Sequence, residues 1–575
     1  MPTRFSCAAL AALLLIACGG GDPAPGAGET APSPGAAPVT EPEPQPSGPA
    51  WFSEEAAARG LDFRHVSGHE KGRYLMPEIM GGGAALLDVE DDGDLDAYLV
   101  QSGLLVGDRA ASPGNQLFLN GGDGTFRDAT AASGAGERGY GMGVACGDVD
   151  GDGRVDLYVT NTGPNALLVN AGEARFRDAT VAAGVGDDGF GASAAFVDYD
   201  RDGDLDLIAL NYVHWSVDTE LDCFNQQGSP DYCSPQTYDN PARDVFYRNR
   251  GDGTFEDATA AVGLGDAIGT GLGLASGDFN ADGLQDVFVA NDGMPDHLWV
   301  NQGDGTFRDD AFFAGCAVDQ DGRSKAGMGV TVGDVDDDGD LDLLVCNLAN
   351  QTDSFFRNEG GTFRDSTGFA GLGMASRPFT RFGMAWIDFD QDGQLDLYQA
   401  NGRVNRQSRP FGDDPFSEPN LLFRGDGTRF REVLPRGGTE QQLIATSRAA
   451  AFGDVDGDGA VDVLVVNKDA PAHLLINAAP ERGNWILLRV RGASGADAIG
   501  ATVTLRVGER TVTRDVRAAY SYQASNDPRI HVGLGGATLI EGVSVAWPDG
   551  ARESYGAFDA NAVVVLERGA GEPLD

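Results

Sequence analysis

One nine-residue string constrains this chain more than any other feature. The pattern D-x-[DNE]-x-D-G-x-x-D begins at Asp88, Asp148, Asp198, Asp278, Asp334, Asp388 and Asp454, each time with glycine at its sixth position. Carboxylates on alternate residues of a short loop repel one another unless a cation lies among them, and hard oxygen donors at this spacing suit Ca2+. Ligands are expected at positions one, three, five, seven and nine. They are Asp88, Glu90, Asp92, Asp94 and Asp96 in the first loop, and Asp148, Asp150, Asp152, Arg154 and Asp156 in the second. The third and fourth offer Asp198, Asp200, Asp202, Asp204 and Asp206, then Asp278, Asn280, Asp282, Leu284 and Asp286. The last three offer Asp334, Asp336, Asp338, Asp340 and Asp342; Asp388, Asp390, Asp392, Gln394 and Asp396; and Asp454, Asp456, Asp458, Ala460 and Asp462. Position seven varies too widely for a side-chain ligand, so its backbone carbonyl is the expected donor. The carboxylate at position nine is expected to close the site with both oxygens. Up to seven Ca2+ ions follow, one per loop. The alternative is a set of solvated turns without metal, and it suits the Asp278 loop best, which has the fewest charges.

An EF-hand would need glutamate at position twelve and a following helix. Position twelve here is Leu99, Val159, Ala209, Val289, Val345, Gln399 or Val465, and each loop runs into a β-rich string such as Val287-Phe-Val-Ala290. The loops therefore join strands. A second string, built around N-x-G-D-G-T-F-x-D-x-T, recurs between them. Its phenylalanines are Phe126, Phe176, Phe255, Phe307, Phe363 and Phe430, each followed eight residues later by a glycine. Loop starts lie 50 to 80 residues apart, which accommodates four antiparallel strands per period, the content of a propeller blade. After the seventh loop no phenylalanine string appears, whereas Phe52 to Gly60 shows the same eight-residue interval. The expected fold is all-β: a seven-bladed β-propeller over residues 51–482, its last blade completed by the N-terminal strand so that no sheet edge stays open. A β-solenoid is the alternative, but the period is long for it and the nonapeptide calcium repeat is missing.

From about Gly483 the acidic loops stop and alternating strands begin, as in Thr502-Val-Thr-Leu-Arg-Val507, so residues 483–570 form a second, small β-sandwich-like domain. At the other end, Arg4 precedes an apolar run from Ala8 to Ala17, too short to span a bilayer, and residues 1–18 read as an export signal. Leu15-Ile-Ala-Cys18 resembles a bacterial lipobox, which implies lipidation of Cys18. Residues 19–50 hold nine of the 27 prolines and read as a disordered tether to the membrane.

The strings Gly147 to Leu157 and Phe452 to Gly459 resemble FG-GAP/VCBS repeats, the repeats of integrin-type seven-bladed propellers. Gly500-Ala501, Tyr520-Ser-Tyr-Gln523, Asn526-Asp-Pro-Arg-Ile-His531, Gly533-Leu-Gly535 and Trp547-Pro-Asp-Gly550 resemble an ASPIC/UnbV domain, departing at Val532, where an aromatic is usual. The stretch from His214 to Asn240, with Cys223 and Cys233, is similar to bacterial relatives of cartilage acidic protein. The resemblance implies the fold and names the modules without assigning a reaction.

With 88 acidic against 41 basic side chains the net charge is −47, which excludes a face able to grip nucleic-acid phosphates. Cys223 and Cys233 are the expected disulfide in an oxidising compartment, while Cys146 and Cys346 read as buried thiols. Arg250-Gly-Asp252 and Arg424-Gly-Asp426 spell an adhesion tripeptide but fall in register with the Gly-Asp-Gly turn of the repeat. His65 and His69 read as turn residues beside Gly68. Among six histidines no nucleophile–base constellation stands out, and no enzyme is expected. The function expected is that of an exported, membrane-tethered, calcium-binding module for adhesion or protein interaction at the cell envelope, in the outer membrane or at the cell surface. Its partner is a protein or a glycan, with no nucleic acid and no transmembrane helix. The alternatives are a lectin-like glycan binder and, less favoured, a polysaccharide-active enzyme.

Overall fold

Each acidic loop joins the first two strands of a four-stranded antiparallel set. In the computed structural model, which describes residues 48–107, 111–408 and 410–574, the second repeat shows the plan. Gly141–Gly147 pairs with Asp156–Pro164, that strand with Ala166–Asn170, and that one with Phe176–Asp178. The export signal, Cys18 and nearly all of the tether lie outside the described residues. Strands such as Leu-Tyr-Val-Thr read as unbroken apolar runs because both sheet faces are covered. Leu157 and Val159 pack with Ala85 and Tyr98 of the preceding repeat, while Tyr158 between them packs with Phe196 and Leu207 of the next.

The other loops repeat the plan, with first strands Ala84–Leu87, Asp188–Val197, Gly271–Gly277, Val330–Gly333, Arg381–Ile387 and Ser447–Gly453. These strands neighbour one another in chain order, and Ser447–Gly453 also lies against Ala84–Leu87. The set around the last loop takes its outer strand from the N-terminal side: Phe52–Glu54 pairs with His473–Asn477, Phe52 opposite Asn477. The eight-residue Phe-to-Gly interval has a steric origin. It spans the short outer strand and one helical turn, Thr130–Ser133 in the first repeat, and ends on Gly134 at φ +75°. A Cβ there would lie 2.9 Å from the Phe176 carbonyl oxygen of the next set.

The asparagine of the second string stitches neighbouring sets together. At the end of its strand it donates to the carbonyl at position two of the preceding acidic loop: Asn170 to Val89 at 3.0 Å, Asn249 to Val149 at 2.9 Å and Asn301 to Tyr199 at 2.7 Å. Asn358 reaches Phe279 at 2.8 Å and Asn477 reaches Phe389 at 3.0 Å. Asn120 reaches Val455, bridging the first set to the last at 2.7 Å. Between the fifth and sixth sets this link is missing, because Gly425 stands where the asparagine would be.

In the C-terminal part, Asn484–Arg491 pairs with Ile530–Gly535 and Ala562–Glu567, and Thr502–Val507 lies between Arg510–Asp515 and Leu539–Ala546. Ile486, Leu488, Val503, Leu505, Val545 and Trp547 are buried in one core between these sheets. The segment Ala518–Asn526 leaves this core and runs among the first strands of the repeats. Ala524–Ser525 pairs in parallel with Ala84–Leu87, and Ser521 exchanges backbone hydrogen bonds with Val330. Tyr522 is fully buried, donates its hydroxyl to the Met80 carbonyl at 2.9 Å and packs against Phe382.

The insertion at 214–240 follows the second strand of its set, at the strand ends away from the acidic loops. Cys223 and Cys233 are disulfide-bonded across a short hairpin within it, and Cys146, Cys316 and Cys346 are buried free thiols. Among the described residues no helix is long and apolar enough to cross a membrane.

Candidate functional site

The acidic loops are folded by their own carboxylates. In the second loop Asp148 accepts the N–H groups of Asp152 at 3.1 Å and Gly153 at 2.9 Å, and Asp152 accepts that of Arg154 at 3.0 Å. The position-five carboxylate caps the position-seven N–H in every loop, from Asp92 with Asp94 at 3.1 Å to Asp458 with Ala460 at 2.9 Å. Glycine at position six has a left-handed φ, +85° at Gly153. The position-nine aspartates are buried clips. Asp156 accepts from Val149 at 3.0 Å through one oxygen and from Asn170 at 2.7 Å through the other. That residue therefore fixes the loop to two strands, and only the remaining lone pairs of each oxygen are open to an ion.

Five of the seven loops bring three carboxylates within 4.8 Å of one another. In four of them the trio is positions one, three and nine: Asp148, Asp150 and Asp156; Asp198, Asp200 and Asp206; Asp388, Asp390 and Asp396; Asp454, Asp456 and Asp462. In the fifth it is Asp334, Asp336 and Asp338. Each cluster contains a buried carboxylate oxygen with no hydrogen-bond donor: Oδ1 of Asp150, Asp198, Asp390, Asp456 and Asp336. A buried anionic oxygen without a donor is costly, and a hard divalent cation is the group that satisfies it, so these residues fit Ca2+. Burial, reinforced by the neighbouring carboxylates, pushes Asp198 and Asp334 up to about 6 and Asp388 up to about 8. A bound cation reverses that push.

Of the up to seven sites expected, five loops assemble a carboxylate trio. Among the described residues, neither the Asp88 loop nor the Asp278 loop assembles such a trio. At the first, Arg489 enters from the C-terminal domain, 2.8 Å from Asp88 and 3.0 Å from Asp91, and Arg491 adds a contact to Asp91 at 2.7 Å. Guanidinium groups also pair with carboxylates of loops that do assemble a trio, Arg424 with Asp390, Arg59 with Asp456 and Arg357 with Asp336. At the second, Asn280 replaces a carboxylate and donates to Asp282 at 2.9 Å. The side chains at position five, Asp152, Asp202, Asp392 and Asp458, lie outside the trios of their loops, whereas Asp338 belongs to its own.

The arginines of the C-terminal domain were not legible as part of this face. Arg529 donates to the Gly93 carbonyl at 3.0 Å, and Arg510 bridges Asp337 and the Gly393 carbonyl, each at 2.7 Å. Also missed was a polar cavity at the opposite strand ends. His69 and His65 are not simple turn residues. His65 is buried, with Nε2 3.0 Å from Ser102 Oγ, and burial pushes it down to about 4. His69 Nδ1 lies 2.7 Å from Glu78, a carboxylate only 2% exposed that also accepts from Tyr232 at 3.2 Å. His69, Tyr232, Arg406, Phe416, Lys468 and Asp469 line a cavity of about 460 Å³, and Arg406 and Tyr232 also line an adjoining one of about 710 Å³. The signal for this site was the histidine pair together with the insertion, but its partners come from four distant segments.

Acidic loops at the first turn of each set, and a strand plan repeated around them, define an FG-GAP-like repeat protein, and family comparison agrees. The FG-GAP-like repeat family matches residues 88–159, 148–209, 224–289, 278–345 and 334–398, more than half of the chain, which therefore belongs to it. The ASPIC and UnbV family matches residues 492–573. The chain is distantly homologous to cartilage acidic protein 1. It is 27% identical to the Xenopus tropicalis protein over 516 residues, covering 82% of this chain and 71% of that one. To the Homo sapiens protein it is 27% identical over 519 residues, covering 85% and 72%. Among solved structures, an Agrocybe aegerita lectin, titled for recognition of non-reducing terminal N-acetylglucosamine, aligns with TM-score 0.38 and 18% identity over 70% of this chain and 92% of its own. YCF48 from Cyanidioschyzon merolae aligns with TM-score 0.37 and 10% identity over 74% and 98%. Likeness at that level decides nothing about ligands.

Proposed function

We propose that this chain is an exported, non-catalytic recognition module: a seven-bladed propeller whose acidic loops bind Ca2+, tethered through a lipidated Cys18 and displayed at the outer membrane or cell surface. The observation that carries the metal reading is that each of the five carboxylate trios contains at least one donorless buried oxygen. Blade count and closure are supported by the outer strand Phe52–Glu54 joining the last set and by the Asn120 to Val455 bond. The Cys223–Cys233 disulfide favours an oxidising compartment. Calcium stiffens the strand-to-strand loops and the C-terminal domain covers that face, leaving the opposite strand ends and the flanks for a protein partner in adhesion or interaction. Cross-linking in the native envelope with and without calcium, followed by pull-down, tests this. A calcium-dependent protein partner is expected, and recovery of the chain alone under both conditions would count against it.

A second reading, a lectin-like binder of extracellular glycans, is favoured by one observation: the two adjoining cavities at those strand ends have hydroxyls, amides and aromatic rings in their lining. Binding to immobilised polysaccharide that survives removal of protein partners would select it.

A further inference from the structure

We propose that the paired cavities at the insertion bind an acidic saccharide, with the carboxylate of a uronate residue held by Arg406. The proposal rests on the glycan-binding reading and specifies its ligand. Which groups of the lining are already spent decides the ligand class. Asp469 accepts from Ser67 N–H at 2.7 Å, Ser67 Oγ at 2.8 Å and Lys468 at 2.6 Å. Asp414 accepts from Phe416 N–H at 3.0 Å and from Thr446 Oγ1 at 2.5 Å. Asp231 accepts from Tyr232 and Arg406 backbone N–H groups at 3.0 and 2.9 Å. Glu78 is held by His69 and Tyr232. These carboxylates are committed to the protein, and Asp413 remains as an exposed rim residue.

The cationic donors are not committed in the same way. Among the described residues the Arg406 guanidinium forms no direct ion pair, although Asp231 lies near enough to feel its charge. One nitrogen bonds the Tyr74 hydroxyl, the group lies 5.0 Å over the Tyr74 ring, and its Nε is buried without an acceptor. Among the described residues Nη1 has no protein acceptor, and Arg406 lines both cavities. Lys468 spends one N–H on Asp469 and sits 6.0 Å from the ring centres of Tyr232 and Phe416. In a chain of net charge −47, two cations at a cavity with spare N–H groups call for an acceptor-rich anionic ligand.

The remaining chemistry narrows the anion to a sugar acid. His69 Nδ1 lies 2.7 Å from Glu78, which leaves its other ring nitrogen, Nε2, for a ligand hydroxyl. Tyr74 lies 5.0 Å from the His69 ring and 5.1 Å from Tyr232, which lies 5.4 Å from Phe416, so apolar ring surface backs the site. Six amide residues, Asn225, Gln226, Gln227, Asn350, Asn405 and Gln407, line the larger cavity; Asn225 accepts from Gln227 and Ser229 N–H and Gln407 donates to the Ser417 carbonyl, which leaves the other four suited to vicinal hydroxyls of adjoining sugars. The site is also pre-organised. Arg448, fully buried, donates to the carbonyls of Ile79 at 2.6 Å, Gly402 at 3.0 Å and Arg403 at 3.1 Å, fixing the two segments that carry Glu78 and Arg406.

The test is calorimetric titration of the full chain, in calcium and then in chelator, with tri-galacturonate and with the neutral galactose trimer. At least tenfold preference for the uronate, reduced to the neutral level in R406Q and unchanged in the surface control R552Q, is the expected result. R406K, which keeps the charge but not the planar fork, should retain part of the preference, and thermal melts report whether each variant is folded. Equal binding of both trimers by the native chain, or a preference that persists in folded R406Q, overturns the carboxylate assignment while leaving glycan binding intact. If neither trimer binds, both fall.

Discussion

The side-chain amide of Asn120 donates to the backbone carbonyl of Val455 at 2.7 Å, joining two residues 335 positions apart. The same amide also reaches the Leu95 carbonyl at 3.0 Å, so the side chain satisfies buried acceptors in both the first set and the last. Asn120→Ala leaves those carbonyls without that donor and is expected to cost about 1–3 kcal/mol. The urea midpoint should fall with an unchanged slope. A midpoint equal to that of the native chain would show that the bond contributes nothing to joining the first and last sets.

Calcium should bind to five loops and not seven. Native mass spectrometry in calcium is expected to show five tightly retained ions, and Asp390→Asn, which alters a trio with a donorless oxygen, should remove one of them. Chelation should lower the melting temperature, since each site held at ~100 times its dissociation constant adds about 2.7 kcal/mol to the folded state. A melt indifferent to chelator would contradict the metal reading outright.

Tyr522 fills space among the first strands with a fully buried ring and one hydroxyl bond. Tyr522→Phe removes only the bond to Met80 and should cost about 1 kcal/mol. Tyr522→Ala also opens a cavity beside Phe382 and should cost ~3–5 kcal/mol. Equal losses in the two variants would mean that the ring itself is not packed.

His65 sets an acid limit outside the acidic loops. It is buried in its neutral form and pushed down to about 4, against an ordinary value of 6.5. Below pH 6.5 the unfolded chain takes up a proton that the folded chain refuses, so stability is full above 6.5 and declines as pH falls toward 4. On the order of 2 kcal/mol should be lost at pH 5. Denaturation midpoints in calcium at pH 7 and pH 5, for the native chain and His65→Asn, measure it: the variant should show a smaller difference, and an equal one would assign the acid sensitivity elsewhere.

The repeat unit was legible because its causes are local. Alternating carboxylates, the sixth-position glycine and the Phe-to-Gly interval each reflect contacts within a loop or with the next set. The asparagine of the second string was visible as a recurring residue, but its acceptor lies in the preceding loop, tens of residues away. Arg489 and Arg510 were unremarkable strand residues until the fold placed them on Asp88 and Asp337. That is why the guanidinium contacts on the Asp88 loop, richest in acid together with the loop at Asp334, were not foreseen. The cavity at Arg406 was hidden for the same reason: His69, Tyr232, Arg406 and Lys468 share no spacing.

Gly425 leaves one joint without its amide tie, the joint between the fifth and sixth sets, and Arg510 spans that joint, touching Asp337 on one side and Gly393 on the other. The carboxy-terminal domain therefore acts as a suture across the joint that lacks this tie. A chain shorn of it should begin to unzip there, and amide exchange would be fastest along that line.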